Sequence, residues 1–329
     1  MRAYRMQEAD GRLQLQLQDV PRPDPGPGQL LLRVRAAGLN RGEFIVGHGL
    51  HTGGSGAKPV GTEASGEVVA IGAGVTGWQP GDRVMGRCPG AFADYALLAD
   101  HEALAVPAVL DWTHAGAIPL TFMVVYDMLV LQGRLKAGET LFVAGVTSGV
   151  GVTALQAAKA IGARVVGTSG SADKLARLQA DEGLDVALCT RGPDFVDAVR
   201  EATGGRGADL AIDTVGGSVF AACVAALGFQ GRLAMVGYVD GVLRAELDLE
   251  ALHAKRLHLF GVSNKLRTPD QRAEPVPGFR ADWLPLLASG RLRPLVDRVF
   301  AFEQLADARA HMEASGHLGK IVLTGSTDD

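Results

Sequence analysis

A glycine-rich segment, "GVTSGVG" from Gly145 to Gly151, follows the apolar run "TLFVA" and precedes a helical pattern. Glycines at such a junction let the backbone turn tightly, while free N–H groups at the start of a helix attract negative charge. Ser148 stands where a middle glycine is usual, and its small hydroxyl can itself donate to a phosphate oxygen. The segment therefore predicts a phosphate site. The alternative is a tight turn that binds nothing.

The elements around this segment indicate a nucleotide-binding fold. From about residue 124, apolar strands alternate with helical patterns, which predicts a parallel sheet with helices on both faces. The glycine segment follows the first of six strands, where a doubly wound fold places a dinucleotide. The six strands are "TLFVAG", "ARVVGT", "DVALCT", "ADLAID", "RLAMVG" and "LHLFG", with helices expected at 150–161, 172–181, 195–202 and 219–227.

The first third of the chain has a different residue pattern, typical of β-strands. "LQLQLQ" at 13–18 alternates apolar and polar residues, which is typical of a half-exposed strand. Several further strands are separated by Gly-rich turns, which predicts a β-rich, barrel-like domain over 1–123. A dinucleotide-binding domain follows over 124–261. The remaining residues, 262–329, are expected to return to the first domain through the strand "GKIVLTG" at 319–325.

Composition excludes several classes of protein. The chain has 329 residues, 47% of them apolar, and a net charge of −4, which fits two well-filled domains better than a disordered chain. Because no patch of Lys and Arg is dense, we do not expect nucleic acid as the main partner. No signal peptide or membrane span is evident, so we expect a cytoplasmic protein that does not bind membranes. Cys88, Cys189 and Cys223 are far apart and are expected to be small buried hydrophobes.

The end of the second strand bears on which dinucleotide binds. A carboxylate there would accept from a ribose 2′-hydroxyl and repel a 2′-phosphate. The strand ends instead in Thr168 and Ser169, and Asp173 lies beyond it in a helical turn. Lys174 and Arg191 are cations that can pair with a 2′-phosphate. The sequence therefore favours NADPH; the alternative is that Lys174 is only a solvated helix residue.

Ordered segments along the whole chain resemble one family. They include "AAGLNRGEF", "PVGTEASGEVVAIGAGVTGWQPGDRV", "GAFADYALL", "LKAGETLFVAGVTSGVG", "GADLAIDTVGG" and "GKIVL". Together they resemble the medium-chain dehydrogenase/reductase superfamily, in its zinc-free quinone oxidoreductase (zeta-crystallin-like) branch. The resemblance implies a six-strand Rossmann sheet plus a GroES-like catalytic domain, an NADPH cofactor and a homodimer.

The same resemblance bears on metal chemistry. Asn40 stands where the zinc enzymes of the superfamily have a Cys, and Thr62 where they have a His. Neither is a good zinc ligand. Glu63 remains and is expected to be structural. Without a metal, hydride transfer should favour acceptors that delocalise charge themselves, such as quinones or α,β-unsaturated carbonyls.

Site residues are carried over from the resemblance. Asn40 is expected beside the nicotinamide ribose and the acceptor, and Tyr126 is a second catalytic candidate that could equally be core. His48 or His51 could donate a proton. Thr190 replaces a family tyrosine in the 2′-phosphate site. The expected cofactor-binding residues are Asn40, Val124, Gly145, Thr147, Ser148, Gly149, Val150, Thr168, Ser169, Lys174, Thr190, Arg191, Gly237, Tyr238, Val239, Val262, Ser263, Asn264 and Lys320.

Three alternatives remain open beside an NADPH-dependent quinone or enone reductase. Relatives of this shape also reduce enoyl thioesters. Others bind NADPH without catalysis, as structural, sensor or RNA-binding proteins. The third is a zinc dehydrogenase, which stoichiometric zinc would support.

Overall fold

The computed structural model describes residues 1–9, 12–45 and 57–325. Two compact units are formed, one by residues 1–123 together with the chain from Asn264 onward, the other by Val124–Ser263. The described strands are β1 (Arg2–Ala9), β2 (Arg12–Asp19), β3 (Gln29–Gly38), β4 (Lys58–Pro59), β5 (Glu63–Ile71), β6 (Arg83–Arg87), β7 (Tyr95–Ala99), β8 (Leu104–Ala105), β9 (Thr140–Ala144), β10 (Arg164–Ser169), β11 (Val186–Cys189), β12 (Ala208–Asp213), β13 (Leu227–Met235), β14 (His258–Gly261), β15 (Val296–Phe300) and β16 (Lys320–Thr324).

The helices are mostly short outside the parallel sheet. The described α-helices are α1 (Trp112–Gly116), α2 (Pro119–Tyr126), α3 (Gly149–Ile161), α4 (Ala172–Asp181), α5 (Val196–Ala202), α6 (Gly217–Ala225), α7 (Leu249–Ala254), α8 (Pro269–Ala273), α9 (Val276–Asp282), α10 (Leu284–Ala288) and α11 (Leu305–Glu313). A π-helical segment, Asp127–Gln132, continues α2. Single 3₁₀ turns cover Arg41–Phe44, Asp100–Glu102 and Phe302–Gln304.

The first unit is built on two sheets. β2, β1 and β4 form a small antiparallel sheet, and the larger one runs β15-β16-β3-β5-β6-β8, with β7 also paired to β3. β3 is central, and Leu30, Leu31 and Leu32 in it are all fully buried. The alternating segment at 13–18 lies in β2, where Leu13 and Leu15 pack against the core. The strand expected for "GKIVLTG" is β16, which pairs antiparallel with β3.

The second unit contains a six-strand parallel sheet in the order β11-β10-β9-β12-β13-β14. Every neighbouring pair is parallel, and the order is that of a doubly wound dinucleotide-binding sheet. All five residues of β9 are buried, because helices cover both faces of a parallel sheet. The predicted Rossmann sheet and the separate β-rich domain are thus confirmed.

Two details differ from the sequence prediction. β13 begins at Leu227 rather than at Arg232, because the buried Leu227 pairs with Ala208 ahead of a register shift in the ladder. Cys189 is exposed, whereas Cys88 and Cys223 are buried. It ends β11, one of the two edge strands of the sheet, so the prediction that all three cysteines are buried was wrong for this one.

No helix among the described residues is both long and apolar enough to cross a lipid bilayer. The expected cytoplasmic location remains a prediction.

One buried carboxyl in the second unit lacks a full set of partners. Asp213 ends β12 with no exposed surface, and its Oδ1 accepts from the N–H groups of Val215 and Gly216. Its Oδ2 is buried and has no hydrogen-bond partner among residues 1–9, 12–45 and 57–325. Burial raises the pKa of Asp213 to about 6, although the two N–H groups oppose this.

Asp213→Asn is expected to stabilise the protein at pH 8 by about 1 to 3 kcal/mol, because the amide keeps the accepting oxygen and removes a buried charge. The folded state holds this proton more tightly than the unfolded state, so wild-type stability falls as the pH rises from about 4 to about 6. The gain should therefore disappear near pH 4, as measured by denaturant unfolding. Asp248→Asn is the matched control, since exposed Asp248 also accepts from a backbone N–H. An equal gain in the control, or none at pH 8, would contradict this prediction.

Candidate functional site

The glycine segment forms a tight turn between β9 and α3. Gly145 has a φ of +83°, which residues with a side chain rarely adopt, and an added Cβ would collide with the Thr214 hydroxyl. An added Cβ at Gly151 would lie 2.5 Å from the carbonyl oxygen of Gly145. Both glycines are therefore needed for the chain to pass from strand to helix here.

Ser148 caps the helix that starts in this segment. Its Oγ accepts from the Gly151 N–H at 3.0 Å and donates to the Gly145 carbonyl oxygen at 2.9 Å. The hydroxyl proton is thus used inside the loop, and is not offered to a phosphate as the sequence suggested. Serine suits this position because its oxygen satisfies one of the first free N–H groups of the helix.

The first two backbone N–H groups of α3 have no hydrogen-bond acceptor within the loop or the helix. The Gly151 N–H is capped by Ser148, and the Val152 N–H donates to the Ser148 carbonyl oxygen, so Gly149 and Val150 are left without an acceptor there. They stand at the positive end of a 13-residue helix. This arrangement suits the pyrophosphate of a dinucleotide.

The end of β10 is tied to the glycine segment. The Thr168 Oγ1 accepts from the Gly145 N–H at 3.2 Å, and its carbonyl oxygen accepts from the Val146 N–H at 3.0 Å. The hydroxyl oxygens of Thr147 and Ser169 are 3.1 Å apart. Thr168 therefore shapes the loop with its side chain, while Thr147 and Ser169 form a hydroxyl pair at the tip of β10.

Two cations follow the second and third strands. The Arg191 side chain packs over Gly170, since an added Cβ there would collide with its Nε. Lys174 lies in the first turn of α4, where its N–H donates to the Ser171 cap. Thr190 is turned toward its own loop: its hydroxyl donates to Asp194 and accepts from the Gly192 N–H. The tip of β10 thus carries cations nearby and no carboxylate of its own.

The remaining candidates of the second unit lie at two places. Gly237, Tyr238 and Val239 follow β13, and Val262 and Ser263 follow β14, so they share the carboxyl edge of the sheet with the glycine segment. Tyr238 and Val239 are exposed, and Val262 is buried.

The two candidates on α2 differ in accessibility. Val124 is half-buried, whereas Tyr126 is 2% exposed. Its burial favours the alternative that Tyr126 is a core residue. A catalytic role for its hydroxyl stays a prediction.

In the first unit, Lys320 and Asn40 meet in a buried polar cluster. The Lys320 ammonium lies 2.7 Å from Glu63 Oε1, 2.8 Å from Asn40 Oδ1, 3.0 Å from the Leu39 carbonyl oxygen and 3.2 Å from Thr121 Oγ1. Lys320 is 4% exposed and Glu63 fully buried. All donors of this ammonium are therefore occupied by the protein, and a direct contact with a cofactor stays a prediction.

The orientation of Asn40 is set by this cluster. Its Oδ1 accepts from Lys320, while its Nδ2 donates to Glu63 Oε1 at 2.9 Å. The other oxygen of Glu63 accepts from the Leu120 N–H at 2.7 Å. The Glu63 carboxylate thus links Asn40, Lys320 and the start of α2, which is the kind of structural role that the sequence predicts for it.

Glu43 is a member of the cluster that the sequence reasoning missed. Its carboxylate accepts from the Thr62 hydroxyl and, at 3.0 Å, from the Asn40 N–H. Burial raises the pKa of Glu43 to about 7, despite both hydrogen bonds. The Asn-x-x-Glu spacing of a capping box was the available signal, since it aims a carboxylate back at the N-cap N–H. Thr121, also missed, had no such signal.

Two other expectations concern single residues. Asn264 is half-buried, and its carbonyl oxygen accepts from the Arg267 N–H at 3.3 Å. His48 and His51 lie outside the described residues.

Comparison with known proteins now identifies the family. The alcohol dehydrogenase GroES-like domain family matches residues 26–108, and the zinc-binding dehydrogenase family matches residues 149–272. The chain belongs to the medium-chain dehydrogenase/reductase superfamily. It is therefore an oxidoreductase that uses a nicotinamide cofactor.

Similar proteins place this medium-chain dehydrogenase/reductase in the quinone oxidoreductase-like branch. Human quinone oxidoreductase is 27% identical over 98% of this chain and 97% of its own length. A component of the phenolphthiocerol/phthiocerol polyketide synthase of Mycobacterium tuberculosis is 33% identical over 98% of this chain, which spans 15% of that protein. A mycobacterial structure complexed with NADPH has a TM-score of 0.86 at 28% identity, covering 98% of this chain and 99% of its own.

The residues of this family member do not fit a catalytic zinc ion. In the described ranges, no three His, Cys, Asp or Glu side chains are grouped as metal ligands. At the corresponding positions, the Asn40 amide and Glu63 carboxylate are engaged with an ammonium, and Thr62 donates to Glu43. A zinc ion here would face the positive charge of Lys320 with amide and hydroxyl ligands that it binds poorly.

Lys320→Met is expected to destabilise the protein by about 3 to 5 kcal/mol, because Glu63 would be left buried without its counter-ion. Lys159→Met is the control: its partner Asp185 is 2.8 Å away, but both side chains are about one-third exposed, so the loss should be about 0 to 1 kcal/mol. The double variant Lys320→Met/Glu63→Gln should regain part of the loss. Denaturant midpoints measure all of these, and equal losses at both lysines would contradict the assignment.

Proposed function

We propose that this chain is an NADPH-dependent reductase that transfers hydride to a quinone or an α,β-unsaturated carbonyl without zinc. The observation that supports the proposal is the arrangement of groups at the carboxyl ends of the parallel strands. Open helix amides there stand beside a strand tip that offers the cations Arg191 and Lys174 and no carboxylate. A reduced nicotinamide, when bound, supplies the hydride.

The preference for NADPH rests on charge. The amides of Gly149 and Val150 would hold the pyrophosphate, as in other Rossmann units. A 2′-phosphate would meet the Arg191 guanidinium, whose position over Gly170 brings it next to Ser169. A carboxylate at the tip of β10 would repel that phosphate, and Thr168 and Ser169 occupy the place instead. The similar mycobacterial protein that was solved with NADPH supports this choice.

The choice of acceptor rests on the polar cluster of the first unit. Asn40 is the residue we assign to the acceptor and the nicotinamide ribose, and Lys320 with Glu63 holds its amide in one orientation. Among these groups there is no thiolate or imidazole ligand for a Lewis acid. An acceptor that spreads its own negative charge therefore suits them best. The similarity to human quinone oxidoreductase supports this class.

A second candidate acceptor is an enoyl thioester. It is favoured by one observation, the 33% identity to a segment of a mycobacterial polyketide synthase across 98% of this chain. The chemistry is related, because hydride addition to the β-carbon of an enone or an enoyl thioester gives a delocalised enolate.

We also propose a homodimer. β14 ends the sheet order, so one of its edges has no partner strand among the described residues. An exposed strand edge is a template for pairing with another chain. Analytical ultracentrifugation would show a monomer if this proposal is wrong.

Lys174→Ala and Arg191→Ala are each expected to weaken NADPH binding at least about tenfold while changing NADH binding less than about twofold, because only NADPH carries the 2′-phosphate. Titration of coenzyme fluorescence measures both affinities. Arg177→Ala is the matched control, since exposed Arg177 lies on α4 one turn beyond Lys174. Equal losses for both coenzymes would remove the 2′-phosphate assignment.

NADPH oxidation is expected with 1,4-benzoquinone or a simple enone, and Asn40→Ala should lower kcat/KM by about tenfold or more with the fold retained. Spectrophotometric screening against quinones, enones and enoyl thioesters identifies the acceptor class. Tight NADPH binding without turnover of any of these would instead support the non-catalytic alternative.

A further inference from the structure

A pair of arginines lies in the first unit, near the polar cluster. Arg87 ends β6 and pairs directly with Glu63 across the β5–β6 ladder. Directly opposed residues of an antiparallel pair project to the same face, with Cβ atoms about 4.5 to 5.5 Å apart. The Arg87 side chain therefore leaves the sheet beside the carboxylate that holds Asn40 and Lys320.

The Arg87 guanidinium has an unusual environment. It is half-buried, and among the described residues it makes no hydrogen bond or ion pair. Burial and the like charge of Arg272, on α8, both lower its pKa, and Glu102 only partly offsets them. Helix α8, which carries Arg272, packs against the 3₁₀ turn Asp100–Glu102. The two guanidiniums are therefore close enough to repel each other, and among the described residues neither is hydrogen-bonded to Glu102.

Arg272 is also incompletely satisfied. It donates through Nη1 to the Arg267 carbonyl oxygen, while its Nε is buried and has no hydrogen-bond partner in the described part of the chain. The neighbouring Arg267 differs, because it is paired with Glu274 at 3.4 Å. A buried donor without an acceptor costs stability, and an acceptor supplied by a ligand would remove that cost.

We propose that Arg87 and Arg272 together bind an oxyanion, a carboxylate or phosphate, that is carried by the acceptor. This inference rests on the proposed reductase function and narrows its substrates to anionic enones. Guanidiniums bind oxyanions through paired N–H donors in a fixed fork, and two of them offer more donors than a single oxyanion requires. The bound anion would satisfy the Arg272 Nε and relieve the repulsion between the two side chains.

The first test compares one enone in two charge states, 4-oxo-4-phenyl-2-butenoate and its methyl ester, with NADPH. The wild type should favour the acid by at least about tenfold in kcat/KM. Arg87→Gln and Arg272→Gln should each lower kcat/KM for the acid by about 10- to 100-fold, mainly through KM, and leave the ester within twofold. Arg87→Lys should give a kcat/KM for the acid between those of the wild type and Arg87→Gln, because lysine keeps the positive charge but loses the paired N–H donors of the guanidinium. Arg293→Gln, at an exposed arginine of the same unit, should change neither substrate.

The second test uses inorganic phosphate as the probe and does not depend on turnover. With NADPH at saturation, so that the glycine segment is filled, phosphate should raise the melting temperature of the wild type and of Arg293→Gln, but not of Arg87→Gln or Arg272→Gln. Phosphate should also compete with the acid and not with the ester. Stabilisation by phosphate without preference for the acid would mean a site for free anions and would overturn the link to the acceptor.

These results separate the two proposals. If the ester and the acid are reduced equally well and the arginine variants lower both alike, the link between the arginine pair and the acceptor is wrong and the reductase function stands. If neither of these enones nor 1,4-benzoquinone is reduced, the function fails and the assignment to the acceptor fails with it. Equal stabilisation of the wild type and both glutamine variants by phosphate overturns the anion site in either case.

Discussion

The first unit depends on the burial of one ammonium. Lys320 comes from the last strand of the chain, and its charge is out of contact with water. Such a charge is tolerated only where acceptors surround it, because desolvation otherwise costs several kcal/mol. Glu63, Asn40 and Thr121 supply these acceptors from distant parts of the sequence. The ion pair therefore joins strand β16 to strand β5 and helix α2, and the orientation of Asn40 follows from it.

In the second unit, side chains shape the glycine turn, and backbone N–H groups are left for a ligand. The hydroxyls of Ser148 and Thr168 are consumed in shaping the turn after β9. What remains for the phosphate site that we propose is the pair of amides at Gly149 and Val150, with Arg191 and Lys174 following the neighbouring strands. A site made of backbone amides tolerates substitution of its side chains, provided that the turn survives. This explains how a serine can stand where a middle glycine is usual.

Much of this molecule was predictable from residue patterns. The six strands of the second unit were readable because each is a short apolar run between helical patterns, and the sheet order follows from the right-handed connection of parallel strands. The exposed Cys189 and the early start of β13 were not, because edge exposure and register are set by neighbouring strands. Glu43 was missed for a related reason: its spacing suggested only a cap, and nothing local showed that the carboxyl would be buried beside Glu63.

The sequence alone determined the fold class and the family, and it placed the glycine turn at which we propose the phosphate site, since these depend on local periodicity, on glycine conformation and on ordered motifs. Tertiary structure alone decided the partners of charged groups. Three features depend on segments far apart in the chain: the pairing of Lys320 with Glu63, the burial that raises the pKa of Glu43 to about 7, and the effect of the Arg272 charge on Arg87. Electrostatic interactions depend on the distance between charges and on their burial, and the spacing of residues along the sequence determines neither.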